Sequence, residues 1–322
     1  MTIENILLIG GSGYVGRHLM NALARRNARI TVPTRRRERA KHLLPFPMVD
    51  VVEADIHDDA TLARLVAGQD AVINLVGVLK GGNGKTDGRP WGKGFDRAHF
   101  HLAERVAEAA QAAGAQRLLH MSALKAAAGA PSAYLRSKAA GEAAVRDAFP
   151  GATIFRPSVI FGQGDQFLTV FAGLCAMAPM VPLACPAALF QPVWVEDVVN
   201  VMADCLDRPE SVGQIYELCG PKVYTLIDLV DYAGKTAGSP GNIMPLGDIP
   251  SYLQAWLLEI VGGPMTRDNY WSMQVPSTCE HGECGQLPFG RRATPLEIIG
   301  PTYLSDGRRR AGYDDFRETA GR

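Results

Sequence analysis

Met1-Thr2-Ile3-Glu4-Asn5-Ile6-Leu7-Leu8-Ile9-Gly10-Gly11-Ser12-Gly13-Tyr14-Val15-Gly16 opens the chain, and its reading decides the fold. An apolar run, Ile6 to Ile9, stops at a glycine-rich turn, and a helical pattern follows at once. Glycine at 10 eases the tightest point of the turn. Glycine at 13 lets backbone approach a pyrophosphate, and glycine at 16 lets the helix pack on the strand. Free N–H groups and the dipole at the helix start favour phosphate. An ordinary strand-to-helix turn can show the same triplet, but its place behind an apolar strand favours a dinucleotide fingerprint. A P-loop is excluded, because no Gly-Lys-Ser/Thr follows. Gly10, Gly13, Tyr14, Val15 and Gly16 are therefore the expected cofactor-binding turn.

The 322 residues suffice for an α/β chain with a Rossmann-type, doubly wound parallel sheet and a smaller C-terminal α/β substrate region. The expected division is a nucleotide-binding domain over 1–165, with 191–210 returning to it, and a substrate or partner region over 166–322. Hydrophobic residues make up 47% of the chain, enough for a sizeable core, and the net charge is zero, which argues against nucleic acid as a partner. Six cysteines, at 175, 185, 205, 219, 279 and 284, form no CxxC pair, and no secretory signal precedes them. The expectation is a cytoplasmic chain with free thiols. Cys279, His281 and Cys284 cluster as only three ligands, where a closed structural zinc site needs four, so no metal is expected.

Ala28 to Val32 reads as the second strand and runs into Pro33-Thr34-Arg35-Arg36-Arg37, where a NAD-selective fold places an acid on the ribose hydroxyls. Arginines there suit a 2′-phosphate, so Arg35 and Arg36 point to NADP(H), with NAD(H) the alternative. A solvated helix start is the other reading of the same arginines. The third strand, Met48 to Asp55, ends at Asp55-Ile56, where the Asp can accept from an adenine amino group or cap the helix beginning near Asp58. The fourth, Ala71 to Gly77, is nearly all apolar, as an interior parallel strand should be, and puts Val76 and Gly77 beside the cofactor. Lys80 to Gly94 is rich in glycine and reads either as a mobile loop near the site or as a surface insertion.

Arg117 to Met121 is the fifth strand and ends at Ser122; Tyr134 and Lys138 follow, four apart and so on one face of a helix. With the glycine turn, this set resembles the short-chain dehydrogenase/reductase superfamily, of the extended or atypical kind. Ile154-Phe155-Arg156-Pro157-Ser158-Val159-Ile160-Phe161-Gly162 and Gln191-Pro192-Val193-Trp194-Val195-Glu196-Asp197-Val198 resemble further segments of that group. Ser12 to Leu19, Tyr134 to Glu142 and Asp268 to Gln274 are similar to one branch, which contains the nucleotide-binding accessory subunit of mitochondrial complex I and its bacterial relatives.

The resemblance implies Tyr134 as general acid/base, Lys138 as the cation that lowers the phenol's pKa and holds the nicotinamide ribose, and Ser122 as donor to the substrate oxygen. It also places Pro157 beside the cofactor. Two readings follow: an NADPH-dependent oxidoreductase on a small apolar carbonyl or quinone, or an NADPH-holding accessory or assembly factor of a respiratory or quinone-making complex.

Gln166 to Val195 carries no charged residue, yet four prolines break it, so an apolar helix over Phe167 to Met177 and a buried extended segment are expected. Ile249 to Val261 places Tyr252, Leu253, Trp256, Leu257, Ile260 and Val261 on one apolar face. A core-facing helix is the expectation; docking at a membrane interface or a partner is the alternative. Peripheral association at the cytoplasmic face of the inner membrane is the corresponding variant of the cytoplasmic reading, and Arg308-Arg309-Arg310 is a solvated charge run or a contact for anionic lipid.

Overall fold

The computed structural model describes residues 3–26, 28–82, 84–263, 265–280 and 285–305. His281, Cys284 and the arginines at 308–310 lie outside the described residues, as does Asn27, the expected end of the first helix. The chain forms two compact units, Met1–Pro157 with Val195–Leu218, and Ser158–Trp194 with Cys219–Arg322.

The first unit starts with β1 (Asn5–Ile9), α1 (Tyr14–Leu23), β2 (Arg29–Thr34), β3 (Val49–Glu53), α2 (Asp59–Val66) and β4 (Ala71–Asn74). A one-turn α3 (Lys93–Phe95) then runs through a π-helical segment, Asp96–His101, into α4 (Leu102–Ala112). β5 (Arg117–Met121), α5 (Ala133–Ala148) and β6 (Thr153–Pro157) follow. In the second unit β7 (Ile160–Phe161), α6 (Leu168–Met177), β8 (Met180–Leu183), β9 (Leu189–Phe190) and β10 (Val193–Trp194) lead to α7 (Val195–Cys205) and β11 (Ile215–Leu218), which belong to the first unit. β12 (Tyr224–Thr225), α8 (Leu226–Thr236), β13 (Asn242–Pro245), α9 (Asp248–Ile260), α10 (Arg267–Met273) and α11 (Leu296–Leu304) complete the second.

Seven parallel strands in the order β11-β6-β5-β4-β1-β2-β3 make the first unit's sheet. Strand order reverses between β1 and β4, which opens a crevice at their C-terminal ends. Ile6 to Ile9 and all of β4 are buried, as strands covered on both faces must be. Leu62, Leu65, Leu102, Val106 and Val145 from α2, α4 and α5 cover one face. On the other, α1 meets α7, joined by a 2.6 Å hydrogen bond between His18 Nδ1 and Glu196 Oε1 and by Arg26 with Asp207. Pairing of Ile9 with Asn74 ends β1 and β4 level, so Gly10 and Leu75 leave the sheet together.

In the second unit, α6, α8 and α11 bury Leu168, Ala172, Leu229, Ala233 and Leu296. The uncharged stretch thus folds into α6 and short strands; among the described residues no helix is long and apolar enough to cross a membrane. Two expectations are corrected here. Cys219 and Cys279 form a disulfide, so the cysteines are not all free thiols. Buried Gln191 holds both flanks, its Nε2 donating to the Gly220 carbonyl (2.7 Å) and its Oε1 accepting from the Cys279 N–H (3.0 Å). Second, α9 does not turn its apolar face to the core. It buries Ser251 and Ala255, and leaves Leu253, Trp256, Leu257 and Ile260 exposed.

Candidate functional site

A cavity of about 710 Å³ lies at the C-terminal ends of β1 to β4. Gly10, Ser12, Pro33, Thr34, Arg35, Arg36, Ala54, Ile56, His57, Val76, Val78, Gly94, Arg97 and Ala98 line it. Gly10 has φ +84°, and a Cβ there would lie 3.2 Å from the Leu75 carbonyl carbon, so the turn needs glycine twice over. Gly13 caps α1 with no side-chain hydrogen bond, and no capping group therefore competes for the first-turn N–H groups. Gly16 meets the Gly11 backbone, where a Cβ would come within 2.4 Å; the helix packs on the turn itself.

Of the expected cofactor residues, the structure brings Gly10, Arg35, Arg36, Ile56 and Val76 onto one wall. Gly77 follows Val76, and a Cβ on it would sit 3.2 Å from Lys138 Nζ. Gly13, Tyr14, Val15, Gly16, Asp55, Gly77, Lys138 and Pro157 are not among the lining residues. Asp55 spends one carboxylate oxygen on the His57 N–H (3.0 Å), and Asp58, not Asp55, caps α2 through the Thr61 N–H (2.8 Å). Pro157 ends β6, its carbonyl accepting from the Leu124 N–H at 3.1 Å.

Arg97, in the π-helical segment, adds a third arginine to the wall, and among the described residues no acid lines it. Burial, followed by the Arg97 charge, holds His57 below the usual imidazole pKa. Helical periodicity could not single out Arg97, because the π turn shifts the face on which it falls. Of the stretch between Lys80 and Gly94 the two ends pack in, while Gly84, Lys85, Asp87 and Gly88 are exposed: Trp91 is buried with its Nε1 donating to Asp96 (2.8 Å), and a Cβ on Gly81 would strike the Phe95 ring.

Ser132 starts α5 by accepting from the Leu135 N–H (3.2 Å), which sets Tyr134 in the first turn and Lys138 one turn on. Lys138 is 4% exposed; its Nζ donates to the Met121 carbonyl (3.0 Å) and lies 3.4 Å from the Val76 carbonyl. Burial lowers its pKa to about 8. Ser122, one residue past Met121, is buried, and its Oγ has no hydrogen-bond partner among the described residues. The Tyr134 ring is half-buried, edge-on to His99 (5.5 Å) and Phe95 (6.1 Å).

Two histidines not singled out in the sequence complete the site. His99 Nε2 accepts from the Val78 N–H (3.0 Å), so its proton sits on Nδ1, which donates to Ser137 Oγ (2.9 Å). Ser137 Oγ donates in turn to the Tyr134 carbonyl at 2.8 Å. His120 Nδ1 accepts from Asn74 Nδ2 (3.3 Å), leaving its buried Nε2 without a partner among the described residues. Burial first, then the Lys138 charge, lowers the pKa of His99 to about 2 and of His120 to about 3. Both are neutral. A Cβ on Gly141 would lie 1.9 Å from the His99 carbonyl oxygen, so glycine there lets α5 close on the π segment. Among described groups of metal-ligand type, Asp87, Asp96 and His101 approach one another, but Asp96 is already engaged by Trp91, Arg89 and His101.

A positive-φ glycine turn, an uncapped helix start and a basic wall at the switch point fit a dinucleotide phosphate. Residues 10–166 match a family model described as NAD(P)H-binding. The chain is 32% identical over 325 residues to the ceramide reductase of Caulobacter vibrioides, covering 96% of this chain and 95% of that one. It is 29% identical over 305 residues to mitochondrial NADH dehydrogenase (ubiquinone) 1 alpha subcomplex subunit 9 of Mus musculus, covering 90% and 77%. Its fold is similar to that of an NADPH-dependent quinone oxidoreductase of Escherichia coli complexed with NADPH. That structure has a TM-score of 0.71 and 19% identity, covering 94% of this chain and 99% of that one. The chain belongs to the short-chain dehydrogenase/reductase superfamily, in its atypical, extended branch.

Proposed function

We propose that this superfamily member is an NADPH-dependent oxidoreductase that reduces an apolar, lipid-borne carbonyl, with residues 1–165 and 191–210 holding cofactor and 166–322 mainly taking substrate or partner. The observation that carries the reading is a buried Ser122 hydroxyl, unpartnered among the described residues, next in sequence to Met121, whose carbonyl accepts from the buried Lys138 ammonium at the end of β5. A hydroxyl left unpaired in a buried site costs about 1–3 kcal/mol, which a substrate oxygen would offset. The relative named a ceramide reductase supports a lipid substrate, and the quinone oxidoreductase neighbour keeps a quinone in the same class.

When bound, the cofactor supplies the hydride that forms the new C–H bond. The chain's residues do the rest. Tyr134 gives its phenolic proton to the carbonyl oxygen as the C=O π bond opens, and is reprotonated from solvent. Lys138 favours the phenolate and holds the nicotinamide ribose, and Ser122 donates to the same oxygen. Tyr134→Phe should lower kcat for NADPH oxidation with a long-chain ketone or quinone by about 100-fold or more while NADPH binds as before. Unchanged turnover would remove Tyr134 from the role.

Arg35 and Arg36 on the cavity wall support NADPH over NADH. Losing a charge-assisted contact to a phosphate costs about 1.5–3 kcal/mol, so Arg35→Ala should weaken NADPH about tenfold or more and NADH little. Equal losses, read by fluorescence titration, would reject the 2′-phosphate assignment.

A second reading is favoured by the relatives named as NADH dehydrogenase subunits: the chain holds NADPH as an accessory part of a respiratory complex. Tight NADPH binding without turnover, with co-purification of a membrane complex, would decide for it.

A further inference from the structure

The outward apolar face of α9 breaks the usual arrangement of a surface helix. At 100° per residue, Ile249, Leu253, Trp256, Leu257, Ile260 and Val261 fall within one half of the helix. That half faces out: Ile249 is 83% exposed, Ile260 64% and Val261 76%. On the opposite side the buried residues are the small Ser251 and Ala255. Ser251 Oγ accepts from the Cys185 N–H (3.1 Å), Ala255 is fully buried, and Gln254 Nε2 donates to the Pro182 carbonyl (2.8 Å). Water is the wrong medium for such a face.

Its chemistry selects the occupant. α9 carries no lysine or arginine, and its one late acid, Glu259, is satisfied by the Arg267 backbone N–H (3.0 Å) and guanidinium (2.9 Å). A protein interface of standard size carries about one hydrogen bond per 100–200 Å². The outward half has no charged or amide side chain to make one. Acyl chains ask for none. Its polar tips are on aromatic rings: Trp256 is 40% exposed, and Tyr252 touches Trp271 from α10 with centroids 6.2 Å apart. Such amphipathic rings settle at the level of lipid headgroups. The chain's own residues 306–322 are a poor match, since only Tyr313 and Phe316 among them are large and apolar.

We infer that α9, with Trp271 beside it, docks the protein on the surface of a lipid bilayer, its axis in the membrane plane and its outward half among the upper acyl chains. This rests on the proposed lipid-borne substrate, to which it gives a location. Hydrophobic insertion without basic residues makes the binding indifferent to lipid charge and to salt.

The test is flotation of the full chain with neutral phosphatidylcholine vesicles at ~0.1 M and ~0.5 M salt. The wild-type chain should float equally at both, with a blue shift of tryptophan emission. Leu257→Asp with Ile260→Asp, both at exposed positions, should lower the bound fraction about tenfold or more while NADPH affinity is kept. No flotation of the wild-type chain would overturn the inference. So would binding confined to anionic vesicles and abolished by salt, or a dimer that the double variant converts to monomer without any vesicle binding. Vesicle binding needs no turnover, so a chain that floats but reduces nothing rejects the enzyme reading alone, and one that reduces a detergent-dispersed ketone but never floats rejects this one alone.

Discussion

His99 and His120 are both held as hydrogen-bond acceptors, one from the Val78 N–H and one from Asn74. Protonation would remove each acceptor and place a second cation near Lys138. Their folded pKa values, about 2 and about 3, lie below the ordinary 6.5. The unfolded chain therefore binds more protons below pH 6.5, and the contribution to stability is full above 6.5 and lost as pH falls. Each histidine should cost about 1.4 kcal/mol per pH unit below 6.5. Urea denaturation between pH 7 and 5, above the carboxylate range, should show this slope, and His120→Gln should lower it by about 1.4 kcal/mol per pH unit. A flat profile would mean that the rings are solvated. Neither histidine was legible in the sequence as more than a strand or helix residue, because burial and tautomer are tertiary facts. Tyr134, Lys138 and Ser122 stood out as candidates because local spacing places two of them on one helix face and the third at a strand end, and the family resemblance suggested their roles.

At the scale of elements, the strands β1 and β4 read clearly, since parallel interior strands are apolar on both faces and show it in sequence. α9 read only in part. Periodicity gives the apolar stripe but carries no sign for inward or outward, and the prior that apolar means buried led the wrong way. The π segment was illegible for a related reason: it packs closely on α5 at Gly141, a tertiary contact that local sequence does not announce. That contact is testable. Gly141→Ala would force a methyl toward the His99 carbonyl oxygen, 1.9 Å from the ideal Cβ. Overpacking of this kind costs about 3 kcal/mol. Gly173 in α6, where a Cβ meets nothing within 4 Å, is the control. Gly173→Ala should leave stability unchanged or raise it by up to about 1 kcal/mol. Similar gains for both, by urea denaturation, would show that helix propensity rather than the α5 contact governs position 141.

Across the whole molecule, the chain leaves the first unit after Pro157, returns at Val195 and leaves again after Leu218. Cys219 stands at that last departure, and its bond to Cys279 spans a sequence separation of 60. Nothing in cysteine spacing announces such a pair, because connectivity across a long loop is set by folding and not by local sequence. Closing a loop of this length stabilises by about 2–4 kcal/mol through the unfolded chain. Gln191 should retain part of the local order after reduction, since it bonds Gly220 and Cys279 by itself. Hydrogen exchange separates the two contributions. Reductant should raise deuterium uptake in the peptides around Gln191, Gly220 and Ser277, while saturating NADPH should lower it around Gly10 to Gly13 and Thr34 to Arg36. Cys219→Ser should reproduce the reductant effect in oxidising buffer, and Cys185→Ser should not. If reductant left the Gln191 and Gly220 peptides unchanged, the side-chain amide and not the disulfide would be what holds that junction.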